Sequence, residues 1–260
     1  DIATEKLAVL EEGSVLALGA QPQPEVLALA RAVAAERGAQ LLVAGEARED
    51  LQMRVHGSFQ RQNFALARLA AESYLKRRGL ALDEQAVREA AASTRVPGRM
   101  QVVSSDPLTV VDGAHNPAAI AALVESLPRL LEERSLALVL GVLEDKDATS
   151  MLRVLLPLCE RAWFTAPPSQ RALSPATLQS LAGQLGFEHS TCEPQPARAL
   201  AAARNWARAR EGGGAVLATG SVYLVGDLLA RPREHGLDPG MAGIGASFER
   251  SQSIRGSGSA

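Results

Sequence analysis

Two hydrophobic periods alternate along the chain. Short continuous apolar runs at residues 15–18, 41–44, 108–111, 136–141, 162–165 and 215–219 read as strands, as do 100–103 and 188–191. Such runs suit strands buried on both faces. Between them, helical spacing covers 25–37, where Val26, Leu27, Leu29, Val33 and Ala34 share a face, and then 60–78 and 82–92. Further helical patterns fall at 118–132, 147–158, 174–185, 196–210 and 222–230. Strands separated by helices of this length are β-α-β units, so the fold class is α/β with a Rossmann-like, mostly parallel sheet. The pattern breaks at residues 94–98, where Pro97 disfavours helix at Val96, and a domain boundary is placed there. From 233 onward Gly and Ser replace periodicity, which reads as a flexible tail over 233–260. No repeat at solenoid periods occurs.

Composition narrows the picture. At 260 residues, 47% apolar but only 3% aromatic, the core must be aliphatic, and two domains are the expectation. A formal charge of −2 lacks the basic excess of a general nucleic-acid or membrane-surface binder. No apolar window is long enough to span a bilayer, and residues 1–20 lack the pattern of a secretory leader, so a cytoplasmic location is expected. Cys159 and Cys192 have no ligand spacing and read as two buried free thiols.

The candidate chemistry lies at one strand-to-helix junction. Asp112-Gly113-Ala114-His115-Asn116-Pro117 follows the run at 108–111 and precedes an alanine-rich helical pattern. Ligands of open α/β sheets bind at such strand ends, beside exposed helix amides. Asp112 can accept from ribose hydroxyls and His115 can donate to a phosphate, while Asn116 suits the helix cap and Pro117 its first turn. An ordinary turn also favours these residue types. Arg99, thirteen residues before Asp112, can grip phosphate bidentately or pair with Asp112. The guanidinium and the carboxylate are expected at the crevice-facing ends of two parallel strands.

Several separated segments share one resemblance. Ile2-Ala3-Thr4-Glu5-Lys6, Gly57-Ser58-Phe59-Gln60-Arg61-Gln62-Asn63, Pro97-Gly98-Arg99, the Asp112–Pro117 hexapeptide, Gly141-Val142-Leu143-Glu144-Asp145-Lys146-Asp147 and Thr219-Gly220-Ser221-Val222-Tyr223-Leu224 stand in this order. Together they resemble the folylpolyglutamate synthase/dihydrofolate synthase family of the Mur ligase superfamily, over about residues 1–230. The resemblance implies an ATP-dependent ligase that adds L-glutamate to folate or dihydropteroate through an acyl phosphate. It implies ATP contacts from Arg99, Asp112, His115, Asn63 and Gln60, the amides of the last two being suited to an adenine edge. His115 and Lys6 are the catalytic candidates by the same resemblance. Lys6 matches a position that is carbamylated in the family, a modification that needs a neutral, partly buried amine. Lys146 and Ser221 are expected to touch substrate, with Tyr223 and Arg171 as weaker cleft candidates; helix capping accounts equally for Ser221. Mg²⁺ is implied as the companion of ATP, but no metal ligand is assigned in this chain. Small molecules, not nucleic acid or membrane, are the implied partners, with a monomeric intact enzyme.

A Gly-x-x-x-x-Gly-Lys-Ser/Thr loop does not occur in the sequence. The resemblance therefore implies an N-terminally truncated chain: residues 1–93 as part of a P-loop-type central ATPase domain, and 94–232 as the Mur ligase C-terminal domain. Activity of such a chain alone is expected to be low. Two other readings remain open: a Mur-type ligase acting on a cell-wall precursor, and a non-catalytic Rossmann-like nucleotide-binding module.

Overall fold

The computed structural model describes residues 2–20, 23–45, 47, 50–238 and 241. The chain divides into two compact units, residues 1–54 with 58–94, and 55–57 with 95–260.

The first unit begins with a short helix, α1 (Ile2–Leu7), which the sequence pattern did not predict. Strands β1 (Val15–Leu18) and β2 (Gln40–Val43) pair in parallel around helix α2 (Pro24–Glu36), with Val15 opposite Gln40 and Leu18 opposite Val43. α2 packs on β2, and the long helix α3 (Ser58–Arg77) packs on β1. Helix α4 (Glu84–Ser93) is capped by Asp83, whose carboxylate accepts the Gln85 and Ala86 N–H groups. Burial in this unit is thin. Leu7, Leu10, Ala30, Ala34, Ala44, Val87 and Ala91 are its buried apolar residues among those described, while Val43, Tyr74 and Leu80 stand exposed.

The second unit is a six-stranded sheet in the order β3-β4-β8-β5-β6-β7. Its strands are β3 (Gln101–Ser105), β4 (Leu108–Val111), β5 (Ser135–Leu140), β6 (Arg161–Phe164), β7 (Ser190–Cys192) and β8 (Gly214–Thr219). All neighbours are parallel except β3 and β4, which form an antiparallel hairpin with an irregularity at Val103. The expectation of two parallel strands carrying Arg99 and Asp112 is thereby corrected. Only residues 106 and 107 join β3 to β4, and a parallel crossover needs a dozen residues or more.

The helices of this unit are α5 (Pro117–Ser126), α6 (Pro128–Leu131), α7 (Ala148–Leu155), α8 (Pro175–Gln184), α9 (Pro196–Arg208) and α10 (Val222–Ala230). Alternation along β5 and β8 divides the core. Ala137, Val139, Val216 and Ala218 pack with Ala199, Leu200, Ala203 and Ala207 of α9 and with Leu224, Val225 and Leu228 of α10. Leu136, Leu138, Leu140 and Leu217 alternate with them and are equally buried, so both faces are covered, as a parallel sheet requires. The row α5-α7-α8 is continuous through its own contacts.

Residues 233–238, read from the sequence as the start of a tail, are instead packed. Leu237 joins the α9–α10 core, the Asp238 N–H donates to the Val103 carbonyl, and buried Arg204 donates to the Gly236 carbonyl at 3.0 Å. The rest of the expected tail, apart from Met241, lies outside the described residues. Cys159 and Cys192 are free but half-buried, not fully buried. Burial pushes the Cys159 thiol up to about 12, and its Sγ donates to the Leu155 carbonyl, so it is an inert thiol. Among the described residues no helix is long and apolar enough to cross a membrane.

Candidate functional site

Three parallel strands, β4, β8 and β5, end level with one another, and the turns beyond them are cross-linked. The Asp112 N–H donates to Ala218 O at 3.0 Å, Gly220 N–H to Ala114 O at 3.0 Å and Gly141 N–H to Thr219 O at 3.2 Å. The antiparallel entry to β3 joins this group from the side, because the start of β3 lies beside the end of β4. There the Gly113 N–H donates to Gly98 O at 2.8 Å.

Asp112 is the hub of the junction. One carboxylate oxygen accepts the Met100 N–H and the other the Ala114 N–H, each at 2.7 Å. Met100 is fully buried with φ +41, a left-handed backbone that a non-glycine residue adopts only when its surroundings hold it there. The bond from its N–H to Asp112 supplies that hold. Burial raises the Asp112 pKa, and the two N–H donors, Arg99 and His115 oppose the rise. At 2% exposure this carboxylate fixes the turn, so it is not the open ribose acceptor that the sequence suggested.

Arg99, next to Met100, is half-buried. Its guanidinium donates to Gly98 O at 3.3 Å and makes no ion pair among the described residues. The Arg99–Asp112 salt bridge allowed by the sequence is therefore not formed, although the two groups share one junction. A guanidinium with unused donors beside helix starts is a site for an anion, phosphate above all. His115 is also half-buried, with Nδ1 at 2.9 Å from Gly113 O. A carbonyl only accepts, so Nδ1 carries the proton and Nε2 is left for another partner. Asn116 caps α5 by accepting the Ala119 N–H at 2.8 Å, with Pro117 in the first turn. Ser221 is 1% exposed, and its hydroxyl accepts the Tyr223 N–H at the start of α10. Its place here is that of a cap, not an exposed substrate contact.

Lys146 lies in the loop after β5. Its Nζ stands 2.7 Å from Asp145 Oδ2, and Arg171 approaches the other oxygen of Asp145 at 3.6 Å. Two cations thus share one carboxylate, and the loop carrying Arg171 is fastened to it by the Glu144 N–H bond to Arg171 O.

Three expected site residues belong to the first unit. Gln60 is 5% exposed; its Oε1 accepts from Asn63 Nδ2 at 3.1 Å, while its Nε2 is buried with no partner among the described residues. An unpaired buried amide donor is costly, and a ligand acceptor would relieve it. Lys6 is exposed on α1, contrary to the partly buried amine that carbamylation needs. A separate cavity of about 280 Å³, lined by Ala44, Phe64, Leu69, Arg88 and the Arg68–Glu84 ion pair, includes none of these three residues. Among the described residues no group of three His, Cys, Asp or Glu side chains could hold a metal, so no step is assigned to a protein-bound ion.

The strained Met100 and the glycines packed around Arg99 were missed from sequence. Their signal was the run Pro97-Gly98-Arg99-Met100, which places a long side chain and a bulky apolar residue straight after a turn.

The model of the Mur ligase glutamate ligase domain matches residues 98–222. The dihydrofolate synthase/folylpolyglutamate synthase of Mycobacterium tuberculosis is 35% identical over 146 residues, which are 56% of this chain and 30% of that protein. The enzyme of the same description from Bacillus subtilis is 26% identical over 255 residues, covering 89% of this chain and 57% of the relative. Among solved structures, Mycobacterium tuberculosis folylpolyglutamate synthase complexed with ADP and AMPPCP matches with a TM-score of 0.79 at 27% identity, covering 90% of this chain and 59% of that one. The chain thus spans well under two thirds of the proteins it matches.

Proposed function

We propose that this chain, whose residues 98–222 match the model of the Mur ligase glutamate ligase domain, belongs to an ATP-dependent ligase joining L-glutamate to a folate or dihydropteroate carboxylate. The observation that carries the reading is the half-buried Arg99 guanidinium, without an ion-pair partner among the described residues, at the meeting of three strand ends.

A carboxylate is a poor electrophile because its leaving group would be oxide. When bound, ATP supplies a phosphoryl group that turns the carboxylate into an acyl phosphate, which the glutamate amine attacks with release of phosphate. In this chain Arg99 binds the nucleotide phosphates, with His115 Nε2 beside it. Asp112 holds the turn that presents Arg99. Lys146 and Arg171, which share Asp145, are the cationic groups offered to a carboxylate of the amino-acid substrate. Within the first unit taken by itself, the Gln60 and Asn63 amides carry donors and acceptors of the kind a purine edge pairs with. Lys6, exposed on α1, is given no role in this reading. A divalent ion accompanies ATP, its ligands lying outside any cluster of the described residues. The substrates are small molecules, the location is cytoplasmic and the intact enzyme is a monomer.

The test is ADP binding by titration calorimetry, followed by a glutamate-dependent ligase assay. Arg99→Ala is expected to weaken ADP by roughly 10-fold or more, as loss of a charge-assisted phosphate contact does. Equal affinity of the variant and the wild type would remove the reading of Arg99. ADP binding without glutamate-dependent turnover would instead favour a nucleotide-binding module.

A further inference from the structure

We infer that Gly113 is a positioning residue for Arg99: the Cβ it lacks is the space in which the guanidinium lies. The inference rests on the reading of Arg99 as a phosphate contact. A Cβ built on Gly113 would stand 2.5 Å from Arg99 Nη1, 3.0 Å from Val222 Cγ1 and 3.5 Å from Gly98 O.

The backbone does not demand glycine here. Gly113 is not among the positive-φ residues, unlike its neighbours in space Gly98, at φ +67, and Gly220, at φ +101. Any L residue could adopt its conformation, so space alone accounts for the glycine. Of the three walls, Gly98 O is fixed by its hydrogen bond from the Gly113 N–H, and Val222 opens α10 behind the Ser221 cap. Arg99 Nη1 is the free end of a long side chain, and it is the wall that yields.

A methyl group at 113 therefore expels the guanidinium while leaving the turn intact. Expelled, Arg99 regains its rotamers and must lose them again when it meets a phosphate. Immobilising one such side chain lowers affinity roughly five- to tenfold. Gly113 thus sets how well ordered the guanidinium is before any nucleotide arrives.

The experiment is a double-mutant cycle on the full chain with ADP as the probe, comparing wild type, Gly113→Ala, Arg99→Ala and the double variant. Gly113→Ala is expected to melt close to the wild type and bind ADP roughly five- to tenfold more weakly. The double variant is expected to bind no more weakly than Arg99→Ala alone. If Arg99→Ala weakens ADP but Gly113→Ala does not, the seat is disproved and the reading of Arg99 survives. If Arg99→Ala has no effect, that reading fails instead. Losses that multiply in the double variant would mean that Gly113 acts elsewhere, and would also overturn the seat. A readout independent of nucleotide is the Arg99 Nε–Hε NMR signal, expected to move and sharpen toward a solvated side chain in Gly113→Ala; an unchanged signal would refute the proposal without any ligand present.

Discussion

Strand β1, Val-Leu-Ala-Leu, and strand β8, Gly-Ala-Val-Leu-Ala-Thr, are built from nearly the same residues, yet every residue of β8 is buried and none of β1 is. Both are parallel strands followed by a helix. The difference lies in their neighbours. β8 sits between β4 and β5 with helices on its faces, whereas β1 has β2 on one side and no other strand partner among the described residues. An apolar run specifies that a strand can be buried; the number of partners decides whether it is. The second unit is consequently where a rigid site can be held, since its turns are tied to strands that cannot move independently. The first unit holds its own cavity on a thinner core.

The sharpest way to break this contrast is to remove a large side chain from each core. Phe164→Ala, at a fully buried position of β6, is expected to cost about 3–5 kcal/mol. Leu10→Ala, at one of the few buried leucines of the first unit, is expected to cost less, because its surroundings can collapse. Urea unfolding followed by probes in each unit measures both. Equal losses would mean that the first unit is as well packed as the second.

Next in size is Arg204, 4% exposed, which donates to Thr109 Oγ1, Gly236 O and Asp106 O. It ties α9 to the β3–β4 hairpin and to the segment at 232–238. Arg204→Met is expected to destabilise by about 1–3 kcal/mol and to speed proteolysis within that segment, with no change in the first unit. Proteolysis at the wild-type rate would show that Leu237 alone holds the segment.

Helix caps allow a like-for-like comparison of the units. Asp83→Ala at α4 and Ser174→Ala at α8 each remove one side-chain cap and are each expected to cost about 1 kcal/mol. A cap is a local device, so a large difference between the two would trace to cooperativity of the unit and not to the cap.

The smallest effect is one of pH. Asp147 caps α7, and hydrogen bonds from the Ser150 side chain and N–H hold its carboxyl below the ordinary 3.8. A depressed carboxylate pKa adds stability above the ordinary value, and that stability is lost as pH falls from there through the lowered value. Asp147→Asn should therefore flatten acid unfolding of the second unit below about pH 4, with little change at pH 7. An acid limb identical to the wild type would assign it to other carboxylates.

Most helices from α2 onward and all eight strands were legible to within a few residues, because aliphatic runs and helical spacing differ clearly in period, but the single helix read over 118–132 is two, α5 and α6, divided before Pro128. The antiparallel entry of β3 was legible too, since the short link at 106–107 excludes a crossover, but the prevailing parallel pattern masked it. α1 escaped because six residues carry too little periodicity. Asp112, His115 and Arg99 could be singled out from their place at strand ends. That the Asp112 carboxylate also accepts the Met100 N–H could not be foreseen, since that partner lies just before another strand, whereas the Ser221 cap on the Tyr223 N–H is local and was one of the two readings of that residue. Whether Lys6 is buried could not be read from its motif, since burial is a property of what surrounds a helix.

Local sequence determined which segments become strands and helices and where the chain turns, because period, caps and the fixed geometry of Pro and Gly act over a few residues. It also determined which cation and imidazole flank the turn after β4. Only the tertiary structure decided that Asp112 faces inward to hold Met100 in a left-handed turn, and that Arg99 lies against a bare glycine. Those outcomes rest on close packing and on hydrogen bonds between turns far apart in the chain, and excluded volume is settled only when the neighbours are in place.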